Sequence, residues 1–296
     1  LNIQPQDVVV TWLPLYHDMG LIGTWLGSLY HGVPVTIMSP ITFLTHPEKW
    51  LWAIHYHRAT ISAAPNFAYE LCLNKINEKK LIGLDLSSWR CAFNGAEAIY
   101  PRTLERFTKK FSPYGFKATS LYPVYGLAEN SVALTIPMMG QAPLIDRIDR
   151  AAMDELKIAK TADPANKNAL EFISCGKAIP DHNIRIVNDE GAVLGERQVG
   201  HLEFQGPSAM QGYFHNANAT QEALHGEWYR TGDLAYIAED NLYVTGREKD
   251  LIIKAGRNIY PQEVEEIAEQ VAGVRKGRVI AFGTADKRKG TEKLII

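Results

Sequence analysis

Over residues 7–125 the sequence switches repeatedly between short apolar runs and longer stretches of helical periodicity. "DVVVTWLPL" (7–15) is apolar and β-branched up to a proline, which predicts a buried strand. "VPVTIM", "ATISAAP" and "WRCAFNG" predict three more. Between them, "LIGTWLGSLYHG" predicts a helix closed by Gly32. "HPEKWLWAIHYHR" predicts a helix with an early proline, and "NFAYELCLNKINEKK" one with Asn66 as its N-cap. "PRTLERFTKKF" predicts a helix with Pro101 in its first turn. Strands apolar on both faces need cover on both faces. The alternation therefore predicts a mostly parallel sheet wrapped by helices.

From Pro143 to Asn168 this pattern fails. The stretch is polar and weakly periodic, and predicts an insertion holding one short helix. Beyond it the texture turns to β. "HNIRIVNDEGAVL" predicts a hairpin with its turn at Asn188–Gly191, and "QVGHLEFQG" another strand. "GDLAYIAEDNLYVTG" predicts two strands around an Asp-Asn turn. From "PQEVEEIAEQV" a helix, then a strand in "GRVIAFG", start a fresh unit. The expected fold class is α/β: a parallel-sheet region, then a β-rich subdomain, then the start of a small C-terminal α+β domain. No internal repeat or low-complexity tract interrupts this order.

Composition narrows the function classes. A net charge of −2 gives no reason to expect nucleic acid or an anionic membrane as partner. Cys72, Cys91 and Cys175 are scattered and odd in number, which suits a reducing, cytoplasmic compartment and argues against a disulfide framework or a zinc site. No apolar stretch approaches the ~20 residues of a membrane span. The N-terminus has no initiating Met and no basic region ahead of an apolar one, and "TEKLII" stops inside a strand-like run. Both ends suggest an internal piece of a longer protein.

Four segments carry candidate chemistry. "PLYHDMGLIG" puts His17 and Asp18 in the loop leaving a buried strand, where α/β sheets build sites; the alternative is a histidine that caps the next helix. Asn94, Gly95, Ala96 and Glu97 end one strand, and Tyr125, Gly126, Leu127, Ala128 and Glu129 end another. Gly and Ala let a flat ligand approach the backbone, Tyr125 can stack on it, and Glu129 offers a hard oxygen for Mg²⁺. The plainer reading is two turns with a solvated acid. In "WYRTGDLAY", Asp233 sits at a tight turn into a strand and can accept from two neighbouring hydroxyls, as on a ribose, or simply serve the turn. "GREKDLIIKAGRNIYPQEVEE" crowds Arg247, Glu248, Lys249 and Asp250 into the turn before a strand. Arg247 can fork onto a phosphate or ribose; the alternative is a charged, solvated turn. No P-loop, G-x-G-x-x-G, G-x-S-x-G or H-E-x-x-H motif is present.

In this order and spacing, "PLYHDMG", "NGAE", "YGLAE", "YRTGD" and "GREKDLIIKAGRNIYPQEVE" resemble the adenylate-forming superfamily of acyl-CoA synthetases, adenylation domains and luciferases. "LPLYHDMGLIG", "HPEKWLWAIHYHRATISAAPNFAYELC" and "TEKLII" resemble its fatty acyl-AMP ligase branch. The resemblance runs through the whole chain. It implies 1–140 as the α/β part of an AMP-binding domain, 141–171 as that branch's insertion, 172–247 as the β-rich subdomain, and 248–296 as the hinge and start of the C-terminal domain.

The resemblance also implies roles. His17 would lie beside the acyl carboxylate, and Asn94, Gly95, Ala96 and Glu97 along adenine. Tyr125, with Gly126, would stack on adenine, and Glu129 would hold Mg²⁺. Asp233 would accept from the ribose hydroxyls, Arg247 would reach ribose and phosphate, and Lys249 would be the hinge, with the Gly256 loop turning to the active site after rotation. ATP and Mg²⁺ are the implied cofactors. A fatty acid and an acyl carrier protein, or a polyketide or peptide synthetase carrier domain, are the implied partners. The family's phosphate loop would lie upstream of this chain and its catalytic lysine beyond Ile296, so the chain alone is expected to be inactive. Where the family often has Thr before the Mg²⁺ glutamate, this chain has Ala128. Trp12, Leu21, Trp25 and Phe67 would line an acyl tunnel, or simply pack the core. Leu144, Ile145 and Ile148 would anchor the insertion. Two rival readings are a long-chain acyl-CoA synthetase and a non-catalytic nucleotide-binding fragment.

Overall fold

A computed structural model describes residues 2–250, 252–254, 257–274, 278–286 and 291–296. The chain forms two compact units. One comprises Leu1–Ile145, Ile173–Asn183 and Gln205–Thr220; the other comprises Asp146–Phe172, Ile184–Phe204 and Gln221–Ile296.

The first unit is built on the predicted parallel sheet. Its strands are β1 (Val9–Thr11), β2 (Val35–Ile37), β3 (Ile61–Ala64), β4 (Cys91–Asn94) and β5 (Leu121–Pro123), in the order β2-β1-β3-β4-β5. All four pairings are parallel. The chain leaves β1 for β2 on one side and returns to β3 on the other. That reversal leaves a crevice at the carboxyl ends of the strands, where open α/β sheets bind ligands.

Helices α1 (Gly27–His31), α2 (Pro40–Thr45), α3 (Glu48–Tyr56), α4 (Asn66–Lys75) and α5 (Pro101–Phe111) accompany the sheet. Trp50, Tyr69, Trp89 and Phe107 are almost fully buried and meet edge-on, Trp50 to Trp89 at 5.2 Å and Tyr69 to Phe107 at 5.0 Å between ring centres. The buried Trp50 Nε1 donates to Ser62 Oγ at 2.9 Å, and Ser62 donates to the Val10 carbonyl at 2.6 Å, so these two buried polar groups are satisfied.

Three helix expectations change. The helix expected over 21–32 is π-helical over Met19–Leu26 and becomes α-helical only in α1. Thr24 and Ser28 each donate to the carbonyl four residues back, at 2.7 and 2.6 Å, and such competition loosens the ladder. Asn66 is inside α4 and does not cap it; Pro65 holds the cap position. Glu97 Oε1 instead accepts the Phe67 N–H at 2.5 Å, which frees Asn66 to bond Asn94. Helix α2, with Pro40 in its first turn, was not expected at all.

In the second unit, the segment expected to be a polar insertion contains its short helix, Arg150–Leu156, capped by Asp149 on the Ala152 N–H at 2.9 Å. It also contains a strand, Ile145–Ile148, paired with Leu170–Ile173. The expected anchors are corrected. Ile148 is fully buried, but Leu144 and Ile145 are 49% and 38% exposed. Met153 and Ala159 are buried with Ile148 in their place.

The antiparallel sheet runs β6 (Asn183–Val187), β7 (Gly200–Gln205), β8 (Leu224–His225), β9 (Trp228–Ala238) and β10 (Asn241–Arg247), with β9 bonded to β7, β8 and β10. The turn at Asn188–Gly191 forms, but the far arm of that hairpin is a single bridge, Val187 to Val193. The β9–β10 turn centres on Glu239 and Asp240, both at positive φ (51° and 62°), one residue earlier than expected. Ile252–Lys254 pairs with Arg257–Ile259, and a helix spans Pro261–Ala268. The strand expected from "GRVIAFG" starts only at Phe282 and pairs with Thr291–Ile295. Among the described residues no helix is long and apolar enough to cross a membrane. The three cysteines are free and buried.

Candidate functional site

Most of the predicted site residues of the first unit stand at or just beyond the carboxyl ends of its strands. After β1 the chain turns at Pro14–His17, and Gly20 packs so tightly that a Cβ there would lie 2.3 Å from the Pro14 carbonyl oxygen. His17 Nδ1 lies 2.6 Å from Asp18 Oδ1, and the same oxygen caps Met19 N–H at 2.7 Å. Met19 N–H also reaches His17 Nδ1 at 3.3 Å, so Asp18 makes the shorter cap and His17 a longer one, with His17 half open to solvent. Trp12 belongs to the core, stacked on Phe43 at 4.0 Å. Phe67 is 40% exposed and meets Trp12 edge-on.

At the end of β4, Asn94 is fully buried. Its Nδ2 donates to Asn66 Oδ1 at 3.2 Å, while its own Oδ1 has no hydrogen-bond partner among the described residues. A buried, unmet acceptor costs about 1–3 kcal/mol unless something supplies a donor. Gly95 follows within 2.9 Å, by its would-be Cβ, of the Val124 carbonyl oxygen, so only glycine fits between the two strand ends. Ala96 takes a left-handed φ of 69°, uncommon for a residue with a Cβ. Glu97 caps α4 through Phe67 N–H, and burial of its carboxyl raises its pKa despite that bond.

Beyond β5, Tyr125 bridges to Thr135 and is half-buried. A Cβ on Gly126 would fall 1.8 Å from the Val132 carbonyl oxygen, so the return of the chain over residues 132–133 fixes this glycine. Glu129 sits in a short 3₁₀ turn, Ala128–Asn130. Its carboxylate accepts from Tyr213 OH at 2.7 Å, and its carbonyl from Met210 N–H at 2.7 Å. Burial and the Glu129 contact push the Tyr213 phenol up to about 12. Tyr213 escaped the sequence reading; its one signal was the Gly-Tyr step in "AMQGYFHN", which turn chemistry alone explains.

In the second unit, Asp233 lies inside β9, not at a turn before it. It is cross-strand from Arg247, with Oδ1 3.4 Å from Arg247 Nε. Asp233 is mostly buried and its N–H is held by Thr231 Oγ1 at 3.0 Å. Arg247 ends β10, so it too is a strand residue, and it is 73% exposed. The turn proper is 248–250. Glu248 N–H bonds the Gly232 carbonyl at 3.0 Å, and Lys249 is exposed. Gly256 lies outside the described residues.

No group of three or more His, Cys, Asp or Glu poised for a metal ion occurs among the described residues. Glu129 nonetheless fits Mg²⁺, which takes one or two protein carboxylate oxygens and completes its shell with water and substrate phosphates. Tyr213 occupies Oε1 and leaves Oε2 for such a role. The unmet Asn94 Oδ1 equally fits a donor such as an exocyclic amine.

The AMP-binding enzyme model matches residues 1–214, and the chain belongs to that family. It is 36% identical over 301 residues to a medium-chain-fatty-acid–[acyl-carrier-protein] ligase, JamA, of Moorena producens, covering 98% of this chain and 50% of that protein. A solved chain from a study of fatty acyl-adenylate ligases of E. coli and L. pneumophila superposes with a TM-score of 0.93 at 41% identity, over 99% of this chain and 52% of that one. A fatty acyl-adenylate ligase of L. pneumophila in complex with acyl adenylate and pyrophosphate gives 0.81 at 35% identity, over 99% and 52%. The fold and sequence are thus similar to fatty acyl-AMP ligases, and the chain spans about half the length of the curated relatives it matches.

Proposed function

We propose that the full-length protein condenses a fatty acid with ATP to an acyl-adenylate, releasing pyrophosphate, and then hands the acyl group to the phosphopantetheine thiol of an acyl carrier protein. The observation that carries this reading is Glu129, held by Tyr213 beyond the end of β5, in a chain 41% identical to a fatty acyl-adenylate ligase structure. A fatty carboxylate oxygen attacks the α-phosphorus, and the bond to pyrophosphate breaks. Bound Mg²⁺ would offset the charge of the triphosphate. The chain's own residues bind and orient: Asn94 Oδ1 accepts from the adenine amine, Tyr125 stacks on the ring, Asp233 accepts from ribose hydroxyls, and Arg247 donates to ribose or phosphate. His17 lies beside the acyl carboxylate. Alignment of the two reactants supplies much of the acceleration. Lys249, in an exposed turn, is the hinge, and the region 141–171 is the insertion that favours a carrier protein over CoA. With three free, buried cysteines, we assign the protein to the cytoplasm.

The test offers the full-length protein labelled fatty acid and ATP with holo-carrier protein and CoA side by side. Acyl-carrier protein as the main product supports the reading. Acyl-CoA as the main product makes it a long-chain acyl-CoA synthetase, and no acyl-adenylate at all leaves the non-catalytic nucleotide-binding reading.

A further inference from the structure

The stretch 206–213 lies against the turn that carries Glu129 and is tied to it at four points. Tyr213 OH donates to Glu129 Oε1 at 2.7 Å, and Met210 N–H to the Glu129 carbonyl at 2.7 Å. Ser131 Oγ donates to the Ser208 carbonyl at 3.1 Å, and Ser208 Oγ to Asn130 Oδ1 at 3.0 Å. His182 backs the strap: its Nε2 lies 2.6 Å from Ser208 Oγ and its Nδ1 2.9 Å from the Pro180 carbonyl. The strap is anchored at its far end, where Tyr213 N–H bonds Thr220 Oγ1 at 2.8 Å. Three of the six contacts made by the strap itself use its backbone atoms, so its path does not depend on the phenol.

A flexible glutamate beside a polyanion can turn either oxygen towards any cation, or swing away into water. A phenol fixed by its own backbone removes that freedom. It donates to one oxygen and leaves the lone pairs of the other free for a hard cation.

We infer that Tyr213 is a positioning residue for Glu129: its hydroxyl sets the carboxylate so that Oε2 receives the divalent cation of the nucleotide. This rests on the proposed adenylation function. In this role Tyr213 acts through Glu129.

The test is Tyr213→Phe in the full-length protein, which keeps the ring and the strap and removes only the hydroxyl. Loss of a hydrogen bond that orients a metal ligand lowers metal affinity by about 10- to 100-fold. The half-saturating free Mg²⁺ for fatty-acid-dependent exchange of pyrophosphate into ATP should rise by about that factor, while the rate at saturating Mg²⁺ recovers to near wild type. Mn²⁺ binding to the protein loaded with a non-hydrolysable ATP analogue should weaken in parallel. An unchanged Mg²⁺ requirement, or a fall in rate that no Mg²⁺ level restores, overturns the proposal. If wild type shows no fatty-acid-dependent exchange, or Glu129→Gln retains it, the function itself has failed. If exchange depends on Glu129 but Tyr213→Phe changes nothing, only the role of Tyr213 has.

Discussion

Asp7→Asn should cost stability at neutral pH and make the protein less sensitive to acid. Asp7 is 2% exposed, just ahead of β1. Burial alone would raise its pKa. Arg90 opposes this with two bonds, Nε to Oδ1 at 2.9 Å and Nη2 to Oδ2 at 2.5 Å, and Gln4 N–H and Thr60 Oγ1 add bonds at 2.8 and 2.7 Å. Together they hold the carboxyl at about 2, against an ordinary 3.8. At 1.36 kcal/mol per pH unit this corresponds to about 2.4 kcal/mol, and partial exposure of Arg90 lowers it to about 1–2 kcal/mol. Because the folded pKa is depressed, the contribution is full above pH ~4 and is lost as pH falls through ~2. The assay is urea unfolding of wild type and Asp7→Asn at several pH values between 7 and 2.5, followed by tryptophan fluorescence. At pH 7 the variant should be less stable by about 2–4 kcal/mol, since Arg90 loses its partner. Between pH 4 and 2.5 the gap should narrow by about 0.5–1 kcal/mol. A gap that stays constant down to pH 2.5 would refute the reasoning, because the pair would then carry no proton linkage.

Ile148→Ala should cost about 2–4 kcal/mol, while Leu144→Ala and Ile145→Ala stay within about 0.5 kcal/mol, measured by the same unfolding. Gly126→Ala forces a Cβ against the Val132 backbone and should destabilise by about 1–3 kcal/mol, with loss of pyrophosphate exchange because Tyr125 and Glu129 share that turn. Burial pushes the Cys91 and Cys175 thiols up to about 11 and 12, and Cys72 higher still. A thiol reagent at pH 8 should therefore leave all three unmodified in the native protein and label them in denaturant.

The parallel sheet was legible because each strand is a short, continuous apolar run, and burial on both faces requires that. The edges of the reading failed where side chains changed partners. Asn66 has the chemistry of an N-cap, but a glutamate thirty-one residues on takes that task, and no local pattern reveals it. In Ile145–Ile148 the inward positions are Asp146 and Ile148. Asp146 is buried because Arg197 Nη1 and Tyr236 OH reach it at 3.0 and 2.9 Å. A search for apolar anchors therefore picks Ile145, which the two-residue period turns outward. The candidate site residues stand out in the sequence as motifs, and they lie at strand ends, on strands or in the turns beyond them. Their supports, Asp18 for His17, Tyr213 for Glu129 and Asn66 for Asn94, are contacts between segments, which spacing does not encode.

The central claim is fatty-acid activation through Glu129, and the most direct measurement is fatty-acid-dependent exchange of labelled pyrophosphate into ATP by the full-length protein and its Glu129→Ala variant. The account predicts exchange that requires the fatty acid in the wild type, and a fall of about 10²–10³ in the variant. Exchange of equal rate in the two proteins, or none in the wild type across fatty acids of short to long chain, would contradict it.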